Sequence, residues 1–334
     1  MKKLNKGLVL LFLALCMAGI APSMSASAWE ISPVQPFPGS DMSGAETGTW
    51  GSVSTPVMDS GSLFGPGRLT MFANHDTAAQ SLSVIIEDGE GGQVVIDGGW
   101  MENGEYLWNQ IKQKGGHVTA WLLTHPDPDH VGALADIINK HRDEVNIDGI
   151  YYSLEEDEWY QKNDPGVCGM VTTLRGALAL MPAHILQNKP SAGQVIHAGP
   201  VTIQVLNQSY LLDQNPTNNS TVAYLVSLNG TNVVTLGDMG AEAGEHFRQD
   251  CNLSALDCDI VTMAHHGQEG VGYEVYKDLQ PEICLWPTPE WLWNNDNGGG
   301  PGSGPWKTFE TRKWMDGLGV KIHYCAKDGD QVIE

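Results

Sequence analysis

Positive charge is scarce in this chain: 18 Lys and Arg stand against 40 Asp and Glu, a formal charge of −22. A surface so acidic repels polyanions at long range, although divalent metal at a local site reverses the sign there. Tight, nonspecific binding of long nucleic acid is therefore disfavoured, and much of the excess charge serves solubility. The sequence also lacks a CxxC pair, the usual nucleus of a structural zinc site. It has no GxSxG turn to present a serine nucleophile. No internal repeat appears at a solenoid or propeller period, and beyond Ala21 no apolar run reaches membrane length.

At the N-terminus, Lys2, Lys3 and Lys6 precede the apolar run Leu8 to Ala21, and Ala26-Ser27-Ala28 offers a small-x-small cleavage site. That is the pattern of a secretory signal peptide over residues 1–28, cleaved near Ala28. The run is shorter than the ~20 residues of a spanning helix and is broken by Gly19 and Pro22, so no membrane span is expected after processing. The expected product is secreted. Of six cysteines, Cys16 leaves with the signal, so Cys168, Cys251, Cys258, Cys284 and Cys325 remain, and at least one has no partner within the chain. Cys251 and Cys258 are close enough to close a short loop; buried free thiols are the equally ordinary reading.

Residues 29–64 are rich in Pro, Gly and Ser with little periodicity and read as an extended leader to a single catalytic domain over 65–334. Within the domain, β-type runs recur at Leu82–Glu87, Gln93–Ile96, Val118–Leu123, Thr202–Leu206, Val222–Leu228, Asn232–Leu236, Ile260–Ala264 and Val320–Tyr324. Helical spacing marks Tyr106–Lys114, Val131–His141 and, more weakly, Ala241–Gln249. Strands and helices mixed in this way predict an α/β protein with large sheets covered by helices. The Gly-rich segment Asn294 to Pro305 reads as a long loop. The flanking Trp286, Trp291, Trp293, Trp306 and Trp314 either wall a substrate or pack the insertion onto the domain.

The informative stretch is Trp121 to Leu134, WLLTHPDPDHVGAL, where a β-run ends and His125, Asp127, Asp129 and His130 follow within six residues. A loop at a strand end can turn several side chains toward one point outside a sheet. His125 and Asp127, two apart, can face the same way and hold one ion; Asp129 and His130, near a helix start, can hold a second. Gly132 lets backbone pass close by. Other β-type runs close on Asp97, on Asp238 and on His265-His266. Singly, each is ordinary, since Asp before Gly makes turns and most histidines are structural. Together they predict a metal site. His75, His117, His184, His246 and His323 carry no supporting pattern and read as structural or surface residues.

The run His125-Pro126-Asp127-Pro128-Asp129-His130 resembles the HxHxDH signature of the metallo-β-lactamase superfamily, with Asp127 where the second histidine usually stands. The order DGG, THPDPDH, NNS, GD, AHHG and the closing GVKIHYCAKDG is similar to the hydrolase domain of the ComEC-type competence proteins and their secreted relatives, from about Leu69 to the C-terminus. The resemblance implies a four-layer αββα sandwich with zinc or manganese, one or two ions per chain, at one edge. It makes His125 and Asp127 ligands of a first site, Asp129, His130 and His265 ligands of a second, and Asp238 the bridge. Asp97 would orient the motif loop, and His266 would line the pocket. Where many relatives place a histidine, Asn218-Asn219-Ser220 leaves weaker donors, with Asn219 beside the site.

The activity implied is that of an exported metal-dependent hydrolase, a phosphodiesterase using a metal-activated hydroxide with Asp129 and His130 as catalytic residues. The acidic chain points to a small-molecule or cell-envelope phosphoester rather than long nucleic acid. Two alternatives are hydrolysis of carboxylic esters, lactones or β-lactams at the same site, and a non-catalytic metal- or carbohydrate-binding module.

Overall fold

A computed structural model describes residues 62–334. The expected signal peptide, its cleavage site and the leader up to residue 61 lie outside the described residues. Leu63 and Phe64, read as the end of the leader, pack into the domain: Phe64 is fully buried and the Leu63 N–H donates to the Glu334 carbonyl. Among the described residues no helix is long and apolar enough to cross a membrane. None of the five described cysteines is bonded to another, Cys251 and Cys258 included.

The strands in chain order are β1 (Arg68–Met71), β2 (Ser83–Glu87), β3 (Gln93–Asp97), β4 (His117–Leu122), β5 (Asn146–Ile147), β6 (Ile150–Tyr152), β7 (Leu186–Asn188), β8 (Val195–Ala198), β9 (Val201–Val205), β10 (Tyr224–Leu228), β11 (Thr231–Thr235), β12 (Ile260–Thr262), β13 (Ile283–Trp286), β14 (Ile322–Cys325) and β15 (Gln331–Ile333). They form two sheets, β15-β1-β2-β3-β4-β6-β7 with β5 on β4, and β14-β13-β12-β11-β10-β9-β8. In each sheet antiparallel hairpins adjoin a parallel half: β3, β4 and β6 run parallel in the first, β11 to β14 in the second.

The helices are α1 (Gly104–Gln113), α2 (Pro128–His141), α3 (Asp157–Asn163), α4 (Cys168–Leu178), α5 (Pro216–Asn219), α6 (Ala241–Asp250), α7 (Tyr273–Leu279), α8 (Glu290–Trp293) and α9 (Thr308–Leu318). Side chains on a strand alternate between faces, and the buried residues sort accordingly. Val94 and Ile96 of β3 point between the sheets to meet Ile203, Tyr224 and Ile283, whereas Val95 points outward among Leu107, Val131 and Leu134 of α1 and α2. In the second sheet Val233 faces the first sheet, and Val234 faces Phe247, Val275 and Tyr276 of α6 and α7. Three apolar interfaces therefore separate four layers, helix, sheet, sheet, helix, as expected. The central parallel strands are buried on both faces, which explains their continuous Val/Ile/Leu runs.

Both parallel halves point their C-terminal ends to one edge, where open α/β sheets commonly place their sites. The loops there are tied across the sheets. The Val222 N–H donates to the Thr124 carbonyl at 2.9 Å, and Tyr224 donates its hydroxyl to the Leu123 carbonyl at 3.1 Å. Gly132, inside α2, admits the crossing loop: a Cβ there would lie 2.4 Å from the Met101 nitrogen and 2.7 Å from the Trp100 carbonyl carbon. Alanine is normally the better helix former by about 1 kcal/mol. Here Gly132→Ala should instead destabilise by about 1–3 kcal/mol through overpacking, read as a lower urea midpoint; an unchanged or raised midpoint would show that the loop yields freely.

Candidate metal centre

Prolines set the local backbone of the motif loop. His125 precedes Pro126 and Asp127 precedes Pro128, and a residue before proline is driven toward extended conformation. Two extended residues two apart present their side chains on one side, and the His125 Nε2 lies 3.4 Å from the Asp127 Oδ2. Pro128 then occupies the first turn of α2, a position that needs no N–H. Asp127 begins the helix: its carbonyl accepts from the His130 and Val131 N–H groups. Asp129 and His130 thus sit in the first turn, where the helix dipole favours the Asp129 carboxylate.

Asp97 closes β3 in the left-handed region (φ 54°) and is fully buried. Its Oδ1 accepts the Thr124 N–H at 2.8 Å, and its Oδ2 accepts both the Thr124 hydroxyl and the His130 Nδ1–H at 2.8 Å. His125 Nδ1 lies 3.1 Å from the same hydroxyl, whose proton is already given to Asp97, so that nitrogen is the donor. Both imidazoles are thereby fixed with Nε2 inward. His266 reaches the same state from the opposite sheet, its Nδ1–H donating to the Pro287 carbonyl at 3.0 Å.

The inward atoms meet around Asp238, which follows β11. His130 Nε2 lies 3.2 Å from its Oδ1, and His266 Nε2 lies 3.3 Å from its Oδ2 and 3.1 Å from the Asp129 Oδ2. Two groups of metal-ligand geometry result, His125, His130 and Asp238, and Asp129, His130 and His266, all buried. The Nε2 atoms of His125, His130 and His266 and the Asp238 Oδ1 are buried without a hydrogen-bond partner. Four such atoms facing one another are costly unless a cation satisfies them. The donor set of imidazole and carboxylate is compatible with a divalent metal of the zinc or manganese type.

The sequence reading preferred His265 over its neighbour, and here the geometry corrects it. His265 and His266 are both left-handed (φ 50° and 55°), which turns successive side chains to different sides. His266 is fully buried among the carboxylates; His265 stands at the rim, with Nε2 3.8 Å from the Asp238 Oδ2, 3.3 Å from the Asn218 amide nitrogen, and Nδ1 3.4 Å from the Glu269 carbonyl. Asp127 lies at the mouth, its side chain one-quarter exposed. Asn219 offers nothing to the centre: its Oδ1 accepts the Gly240 N–H and its Nδ2 donates to the Gln214 carbonyl, bracing the loop that carries Asp238. Asn218 takes the place beside the histidines. Sequence reasoning missed Thr124, adjacent to the motif, and the Pro287 carbonyl, for which no sequence signal exists. His75 and His117 pair with Asp330 and Asp148, away from the cluster.

Burial alone would raise the Asp238 carboxyl, yet His266, His130 and His265 hold it well below the usual carboxylate range. Asp129 is likewise lowered against its burial by His130 and His266. Burial would lower the two imidazoles, but Asp238, Asp97 and Asp129 raise His130 well above its usual value, and Asp238 and Asp129 lift His266 to about 9.

Residues 76–167 match the model of a family described as the metallo-beta-lactamase superfamily. With the two-sheet, four-layer architecture, the chain matches the metallo-β-lactamase fold. Similar solved structures include the metallo-beta-lactamase fold protein YhfI from Bacillus subtilis, 14% identical over 80% of this chain and 100% of that one, TM-score 0.49. MEM-A1, a subclass B3 metallo-beta-lactamase from a soil metagenome library, is 18% identical over 60% of this chain and 76% of its own, TM-score 0.40. An E377D mutant of the CmlA beta-hydroxylase is 12% identical over 80% and 54%, TM-score 0.45. No curated protein matches the chain.

Asp97→Asn, which removes the carboxylate fixing His130, should weaken zinc binding by roughly 10–100-fold while circular dichroism stays unchanged; unaltered affinity in a competitive titration would show that Asp97 only packs the loop. A metal must also displace the protons that His130 and His266 carry at pH 7, because both pKa values are raised. Zinc uptake at pH 7 should release protons, measured by calorimetry in buffers of different ionisation enthalpy, and apparent affinity should climb as pH rises toward about 9.

Proposed function

We propose that this protein is an exported metal-dependent hydrolase that cleaves phosphodiesters, on the ComEC-like branch of the metallo-β-lactamase superfamily. The observation that carries the reading is the convergence of His125, His130, His266 and Asp238 as buried, unpartnered donor atoms at the shared edge of two sheets. The fold suggests a metal-dependent hydrolase; the phosphodiester is favoured by the run HPDPDH with the later AHHG. Export rests on the pattern of residues 1–28.

His125, Asp127 and Asp238 would hold one ion, and Asp129, His130, His266 and Asp238 the other. When bound, such ions supply Lewis acidity and lower the pKa of a water to about 7. The residues of the chain do the positioning. Asp97 and the Pro287 carbonyl hold the Nδ1–H of the His130 and His266 rings, so that loss of the second proton to an incoming metal leaves Nε2 as the donor atom. Asp129, with one oxygen 3.1 Å from His266, orients the attacking water and takes its proton. A P–O bond forms to the water oxygen as the bond to the departing alcohol breaks, and that alcohol leaves with the proton that Asp129 took from the water. His265 lies at the mouth, within reach of an incoming oxygen.

The test is hydrolysis of bis(p-nitrophenyl) phosphate beside a p-nitrophenyl acyl ester, with zinc or manganese, by the chain and its Asp129→Ala and His130→Ala variants. Phosphodiester turnover that is chelator-sensitive and falls by on the order of a hundredfold or more in both variants is expected. Turnover of the acyl ester alone would assign the site to carboxylic esters, lactones or β-lactams. One tightly held ion with no turnover of either would favour a non-catalytic module.

A further inference from the structure

A cleft of about 470 Å³ opens on the same edge between the loop joining β1 to β2 and the loop following β13. This is a volume typical of small-molecule sites. Its lining is joined directly to two of the proposed ligands. Ser81 precedes Leu82, whose N–H donates to the Asp129 carbonyl at 3.2 Å, and Pro287 accepts from His266. The cleft is thus one backbone hydrogen bond from Asp129 and one from His266, so a ligand seated in it lies beside the metal centre.

The outer wall is rigid. The Trp291 indole N–H donates to the Ala78 carbonyl on the opposite lip at 2.6 Å, and its ring meets Trp306 edge-on at 4.7 Å. The Gly-rich segment behind it is braced: the Asp296 Oδ1 accepts the Gly298 and Gly300 N–H groups, and the Asn295 Oδ1 accepts the Trp306 N–H. The wall is therefore built to hold one shape, and Trp291 is part of it.

Charge in the cleft is unsuited to a polyanion. Glu290 and Asp296 supply carboxylates, and the cation Lys327 is neutralised by Asp328 at 2.6 Å. A nucleic-acid backbone needs a run of free cations at this place. The residues that line it include instead Trp291 with Gln80, Ser81 and Glu290. An aromatic ring beside amide and carboxylate groups suits a ligand with an apolar C–H face and many hydroxyls.

Resting on the phosphodiesterase reading, we propose that this cleft takes one ester arm of the substrate, and that the arm is an uncharged polyhydroxylated group, a glycosyl or polyol unit. Its hydroxyls meet Gln80, Ser81 and Glu290, and its C–H face lies against Trp291. The site is then specific for phosphodiesters that join a phosphate to a sugar or polyol, not for internucleotide links.

The experiment compares three p-nitrophenyl phosphodiesters whose second arm is methyl, glucosyl or 5′-thymidyl, using the metal-loaded chain and its Trp291→Ala and Glu290→Gln variants. The glucosyl ester is expected to exceed the methyl ester in kcat/KM by on the order of tenfold or more, with that ratio falling toward one in both variants. Equal rates for all three esters, a 5′-thymidyl preference, or a glucosyl preference surviving in both variants would overturn the proposal while leaving the phosphodiesterase reading intact. If no ester is cleaved, the reaction class fails, and calorimetry with glucose 1-phosphate against methyl phosphate decides the cleft separately. Tighter binding of the sugar phosphate that is lost in Glu290→Gln upholds it; equal binding removes it.

Discussion

The Asp238 carboxylate, 3% exposed and ionised among His130, His265 and His266, is the interaction on which the rest of the site depends. A lone buried carboxylate costs several kcal/mol in lost hydration, so it persists only with charge brought to it from several directions. Here the charge comes from two sheets. His130 arrives on α2, after β4 of the first sheet; His266 arrives after β12 of the second; Asp238 itself follows β11. The sandwich must close in correct register for the three to meet. The Val222–Thr124 and Tyr224–Leu123 hydrogen bonds across the sheets hold that register.

Asp97 plays the complementary part behind the site. Its position in left-handed conformation at the end of β3 is a strained one for a non-glycine residue, tolerated by aspartate better than by most. The strain is offset by three hydrogen bonds that settle the motif loop: two from Thr124 and one from His130. Through Thr124 the same carboxylate also sets the ring of His125. A single buried acid thus orients two imidazoles without facing the ligand position itself.

Much of this was legible in the sequence, and the limits have physical causes. The β-type runs at Gln93, Val118, Thr202, Asn232 and Ile260 coincide with strands to within a residue or two because burial on one or both faces imposes an apolar pattern. β1 carries only four residues and α3 and α7 seven each, short pieces that make weak periodic signals; α4 and α9, of eleven residues each, were not read as helices either. The cluster of His125, Asp129, His130 and Asp238 was legible because the sequence sets each soon after a β-run, in the loop or first helical turn that follows it. The choice between His265 and His266 was not, since it depends on two successive left-handed residues, and no periodicity describes such a turn. Asn219 stands beside the site without facing it: the short α5 turns Asn218 toward His265 and Asn219 toward Gly240.

Asp127 has an electrostatic consequence that ties ion number to substrate class. The carboxylates facing the centre are Asp127, Asp129 and Asp238, and the surrounding chain is strongly acidic. Counting these three carboxylates alone, one divalent ion would leave the centre negative, which disfavours a phosphodiester anion, and two would make it positive, an attraction that low-dielectric surroundings strengthen. An aspartate in place of a neutral histidine makes that threshold steeper, because it adds a charge the first ion must overcome. A neutral ester suffers no such penalty at a singly loaded site. Under the proposed function, the residue that departs from the HxHxDH pattern would couple anionic substrates to full metal loading, and an acidic surface around a cationic centre would favour molecules small enough to feel the centre more than the surface.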